Sequence, residues 1–206
     1  MPCQKGVEVM KIELRSDSVA IEGYVNAVER DSKPLSFGGG IFVEKVQAGA
    51  FRRALERAKK YKQEVRVLLN HDYSKELAST RESTTVLYED NIGLRCRFET
   101  RNQEFIEKVK NGQLTGWSFG FVCLKDEQRE VDGVTQRKLV DVELKEVSVL
   151  DGKIPAYDGT SIELRDAEDY IERRYTSDDV DVIDETAPSD NWEYANKYLA
   201  VVNGLN

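Results

Sequence analysis

The sequence predicts a mainly β chain of α+β class. Three observations predict it. Apolar residues recur at every second position in many short runs. Helical spacing is confined to a few segments. Turn sequences such as Glu89-Asp90-Asn91-Ile92-Gly93 and Asp132-Gly133 separate the alternating runs as hairpins would. With 206 residues the chain suffices for one domain with a real core and an appendage.

In order, residues 7–14 alternate through Val7, Val9, Ile12 and Leu14 and read as a strand. Val19, Ile21, Tyr24 and Val28 outline a second, with Gly23 placed to make a bulge. Residues 31–40 hold Pro34 and three consecutive glycines and read as a mobile surface loop. Residues 48–61 are the clearest helix. Ala50, Phe51, Ala54, Leu55, Ala58 and Tyr61 share one face, and Arg52, Arg53, Glu56, Lys59 and Lys60 form a solvated one.

Val65, Val67 and Leu69 then alternate into Asn70-His71-Asp72. Residues 84–88 and 94–98 form the first hairpin. Residues 101–110 read as a helix with Phe105, Ile106 and Val109 inward, ended by Gly112. Phe119, Phe121 and Cys123 begin a strand that returns through Asp132-Gly133 to Lys138, Val140 and Val142. In residues 144–150, Leu144, Glu146 and Ser148 point one way, Val147 and Val149 the other. Residues 167–175 read as a short helix, and residues 176–190, acidic and holding Pro188, as a linker. Trp192, Tyr194, Ala195, Tyr198, Leu199 and Val202 make a last short helix or anchor.

Charge divides the chain. Residues 1–165 carry 27 basic and 27 acidic side chains, whereas residues 166–206 carry 3 and 11 and supply the whole net charge of −8. The expected organisation is a domain over 1–165 and an acidic tail over 166–206. Neither part suits a nucleic-acid backbone. No apolar run approaches bilayer length, and no signal-peptide pattern opens the sequence, so a cytosolic location is expected. Cys3, Cys96 and Cys123 read as reduced thiols. One histidine and three scattered cysteines lack ligand spacing, so neither a metal nor another cofactor is expected.

The chemistry-bearing stretch is Gly116-Trp117-Ser118-Phe119-Gly120, at the junction of a helix and a strand. A serine attacks only when a base takes its proton. The chain has one histidine, so imidazole-assisted serine chemistry requires His71 with Ser118. The letters match the G-x-S-x-G elbow of α/β-hydrolases. That elbow runs from strand to helix, however, and its histidine follows the serine. The base also needs a carboxylate to orient it. Asp72 adjoins His71 but faces the other way along a strand. Asp141, Glu143 and Glu146 lie on a strand after the serine. Glu146 is favoured because its apolar neighbours leave its carboxylate wanting a partner.

Leu69-Asn70-His71-Asp72, Gly93-Leu94, Gly116-x-Ser118-Phe119-Gly120-Phe121, Leu144-x-Glu146-Val147-Ser148 and Pro155-Ala156 together resemble the prohead serine proteases of tailed phages. Val46-Gln47-Ala48-Gly49-Ala50-Phe51 is similar to the segment opening that family's first helix. The resemblance covers about residues 18–165. It implies a mostly antiparallel β-barrel with surrounding helices, related in fold to the herpesvirus protease assemblin. It further implies His71 as base, Ser118 as nucleophile and Glu146 as orienter, where assemblin has a second histidine. The assemblin oxyanion loop is arginine-rich. Here Asp151-Gly152-Lys153-Ile154 stands in that place, leaving Lys153, Gly152 or nearby backbone N–H groups as candidates.

The function so implied is a capsid-maturation endopeptidase inside the assembling procapsid in the host cytoplasm. It would cleave scaffold or the N-terminal segment of the major capsid protein, or both, and also itself. A homo-oligomer is compatible with it. The rival readings are a serine esterase or amidase on small substrates, and a non-catalytic scaffold or capsid-binding module in which Ser118 merely fits a tight turn.

Overall fold

The computed structural model describes residues 9–37, 40–152, 161–165, 169–177 and 179–184. Strands β1 (Val9–Leu14), β2 (Val19–Ala27), β7 (Val86–Glu89), β8 (Gly93–Thr100) and β13 (Asp179–Asp184) form one sheet, in the order β13-β1-β2-β8-β7. A second runs β11-β12-β9-β10-β4-β3. It is built from β3 (Leu35–Phe37), β4 (Gly40–Val46), β9 (Leu114–Val131), β10 (Val134–Asp151), β11 (Ser161–Arg165) and β12 (Asp169–Ser177). The hairpin of β5 (Arg66–Leu69) and β6 (Asp72–Ser79) joins it through β10. Among the described residues, helices α1 (Ala50–Lys60) and α2 (Gln103–Lys110) accompany the sheets.

The α+β, mainly β expectation holds, and most strand pairs are antiparallel. The closed barrel does not appear among the described residues: each sheet's pairing path has two ends. Three of the described pairs are parallel, β1 with β13 and β10 with both β4 and β5. The length of β10 permits this. Its first half lies beside β4 and its last beside β5, while β9 runs antiparallel along its whole length.

The core lies where the two sheets and α1 meet. Trp117, Phe119 and Phe121, alternate residues of β9, are all fully buried in it. Phe51 of α1 meets Phe119 edge to face, with ring centroids 5.2 Å apart. The α1 N-terminus is closed by Glu89, whose carboxylate accepts from the N–H groups of Gly49 and Arg52. Asn102 caps α2 by accepting the Phe105 N–H at 3.1 Å. Gly112, with φ 63°, follows its end as expected.

Several local expectations change. The loop expected at 31–40 contains β3, which pairs with β4. The bulge in β2 falls between Tyr24 and Asn26, not at Gly23. Gly23 instead makes room for Trp117, whose indole a Cβ there would overlap. The basic face of α1 is not wholly solvated: Arg53 and Arg57 donate to the Val140 and Val142 carbonyls, and Arg57 also grips Asp141.

The helix expected at 167–175 is strand β12, and part of the expected linker is β13. The expected division at residue 165 thus passes between β11 and β12, which pair with each other. Their sequence hides them because β12 buries charge. Glu172, Arg173 and Arg174 are all buried. Arg174 binds Glu44 at 2.6 and 2.8 Å and Glu172 at 2.6 Å, and Arg137 binds Glu172, Glu44 and Asp126. Ion pairs of this kind offset the cost of taking each charge out of water. The anchor expected from Trp192 onward lies outside the described residues.

Candidate active site

His71 sits in the two-residue turn between β5 and β6. Asn70 and His71 both adopt left-handed backbone, φ 53° and 62°, as such a tight hairpin requires. For residues with side chains this conformation persists only when held. Four bonds hold it to β10. The Asn70 N–H donates to the Val149 carbonyl at 3.0 Å, and the His71 N–H to Ser148 Oγ at 3.1 Å. The Asn70 side chain accepts the Asp151 N–H and donates to its carboxylate.

Glu146 is fully buried on β10, and its Oε1 lies 2.7 Å from His71 Nδ1. Opposite a carboxylate, Nδ1 is the donor, so Nε2 is left as the basic nitrogen. The second oxygen, Oε2, accepts from Ser148 Oγ at 2.6 Å. Arg173 Nε stands 4.0 Å from Oε1. A buried carboxylate is thus ringed by donors and opposite charge.

Ser118 lies on β9 between β10 and β12. Its strand begins at Leu114, so it is inside the sheet rather than at the helix-to-strand junction expected. Its ladder partner on β10 is Ser148, and directly paired side chains sit about 4.5–5.5 Å apart at Cβ. Ser148 in turn lies 3.4 Å from His71 Nδ1. The serine, the histidine and the glutamate therefore gather around one position of β10. Ser118 is fully buried, and its Oγ has no hydrogen-bond partner among the described residues.

The other candidates have separate partners. Asp141 is bound by Arg57 and Glu143 by Lys145. Asp72 accepts from the backbone and hydroxyl of Ser74, which hold its carboxyl below the ordinary range. The Gly152 N–H donates to the Gln113 carbonyl at 3.1 Å, so that amide is already engaged. Lys153 lies outside the described residues. Asp151 pairs with Lys108 at 2.7 Å; burial would raise its carboxyl, yet the bonds from Lys108 and Asn70 hold it low.

Burial pushes both described thiols upward, Cys96 far more than Cys123. That disfavours the thiolate a nucleophile needs. Among the described residues no cluster of metal-binding side chains occurs, and no helix is long and apolar enough to cross a membrane.

Sequence reasoning missed what supports these groups. Gly120 pairs with Glu146 on one side and Arg173 on the other, and a Cβ there would collide with the Glu146 carboxylate. Spacing of Glu146 and Ser148 on one strand face signalled their proximity. Nothing signalled Arg173, which lay in a segment read as helix.

A family model described as caudovirus prohead serine protease matches residues 5–173. No curated protein and no solved structure matches the chain.

Proposed function

The chain belongs to the caudovirus prohead serine protease family, and from that membership we propose that it cleaves peptide bonds with a triad of Ser118, His71 and Glu146. The observation that carries the reading is the 2.7 Å bond between Glu146 Oε1 and His71 Nδ1. With Nδ1 donating to that carboxylate, the buried Nε2 is the ring nitrogen left to act as base.

In this mechanism Nε2 takes the Ser118 hydroxyl proton as Oγ attacks the scissile carbonyl carbon. Glu146 stabilises the imidazolium that forms. The tetrahedral intermediate collapses when His71 returns the proton to the amine leaving group, giving an acyl-enzyme. Water, activated by the same imidazole, releases the acid and regenerates Ser118. Backbone N–H groups near the β10 end, or Lys153, supply the oxyanion contact. The Gly152 amide serves only by leaving Gln113.

Capsid protein and scaffold are the proposed substrates, met inside the procapsid. Self-cleavage is proposed to fall after Asp184, because residues 169–177 and 179–184 are strands of the two sheets. Ser118 is buried, so a peptide reaches it only after a neighbouring segment moves aside. Reaction with a serine-directed fluorophosphonate, mapped by peptide mass, tests the reading. Label is expected on Ser118 and absent from His71→Ala. Label elsewhere, or undiminished in His71→Ala, would overturn it.

A further inference from the structure

We propose that Ser148 is a positioning residue for the reaction: its single hydroxyl holds both the acid and the base. The inference rests on the triad reading above. Ser148 is fully buried on β10. Its Oγ–H donates to Glu146 Oε2 at 2.6 Å, and its lone pairs accept the His71 backbone N–H at 3.1 Å. A hydroxyl has one proton to give and two lone pairs to receive, so both bonds coexist.

Each bond restrains a different motion. With Oε2 engaged, the carboxylate cannot rotate, and Oε1 stays aimed at His71 Nδ1. The second bond anchors a left-handed histidine, φ 62°, that would otherwise relax toward ordinary backbone. The register adds a third link, since Ser148 is the residue paired with Ser118. One position of β10 thus sets nucleophile, base and acid relative to one another. A small buried serine with a packing role alone would not need its hydroxyl.

The test compares Ser148→Ala, Ser148→Cys and Ser148→Thr on a peptide substrate. Cysteine nearly matches serine in size but donates weakly, and threonine keeps the hydroxyl. Ala and Cys should each lower kcat roughly 10- to 100-fold with KM unchanged, the scale of a hydrogen bond to a charged group. Thr should restore most of the rate. Because the chain has one histidine, ring 15N shifts report on His71 alone. In the Ser118→Ala protein the neutral ring should be the Nδ1–H tautomer, and adding Ser148→Cys should bring in the Nε2–H form. If Ser148→Ala fails to fold, the Cys variant carries the comparison. Full kcat with an unchanged tautomer in either variant would overturn the inference. So would equal loss in all three variants with the tautomer intact, the signature of packing. Peptide cleavage retained by Ser118→Ala would instead remove the triad reading, whatever Ser148 does.

Discussion

Gly120 and Glu146 share one space: the Glu146 carboxylate lies where a Cβ on residue 120 would be. The β12–β9–β10 ladder places Arg173, Gly120 and Glu146 in a row, and the missing side chain in the middle lets the outer two approach. Gly120→Ala should therefore push the carboxylate off His71 Nδ1. Activity should fall about as far as on losing the third triad member, roughly 10²- to 10⁴-fold in kcat. Steady-state kinetics alongside thermal unfolding check this; a fully active Gly120→Ala would show that the Glu146 position is unimportant.

The choice of acid can be tested separately. Glu146→Gln keeps the size of the side chain but offers the wrong hydrogen-bonding pattern to His71. It should lose roughly 10²- to 10⁴-fold in kcat, yet less than Ser118→Ala or His71→Ala. Asp141→Asn and Glu143→Gln remove the charges paired with Arg57 and Lys145 and should stay within a few-fold of wild type. The reverse ranking would assign the orienting role elsewhere.

Acid stability should depend on Glu172. Burial alone would raise its carboxyl, but Arg137 and Arg174 hold it below the ordinary 4.5. A carboxyl depressed in the folded state contributes stability that is complete above its unfolded pKa and is lost as pH falls through the folded one. The contribution is therefore full at neutral pH and declines below about pH 4.5. Glu172→Gln leaves two arginines short of a charge. It should cost about 3 kcal/mol at pH 7, with a flatter decline in acid. Denaturant unfolding at a series of pH values reads both effects, and parallel curves for the two proteins would contradict them.

The tail makes a further expectation. Active enzyme should shorten itself beyond Asp184, and Ser118→Ala should keep its full mass. Intact mass after prolonged incubation decides it. A cut between 169 and 184 would mean that β12 or β13 leaves its sheet, and an uncut chain would remove self-trimming.

Much of this was readable in the residues, for physical reasons. The period-two runs of β2, β5, β8 and the two halves of the β9–β10 hairpin bury one face, so their polarity alternates. Phe51 and Ala54 on α1, and Phe105 and Val109 on α2, mark helices that bury a stripe. The single histidine narrowed the base to one residue, and Glu146 stood out as a carboxylate among apolar neighbours. What stayed hidden is stabilised by charge or by absence. The Glu172 to Arg174 stretch buries three consecutive charged residues, so no apolar alternation announces β12. Gly120 acts by lacking a side chain. Among the described residues β10 takes two parallel neighbours, β4 and β5, a non-local pairing that no local pattern encodes.

The most direct test of the central claim is the intact mass of the major capsid protein co-expressed with this chain, wild type against Ser118→Ala. Capsid protein should be shortened at its N-terminal end with the wild type, and left at full length with Ser118→Ala. Equal shortening with both proteins would contradict it, because peptide cleavage would then not depend on Ser118.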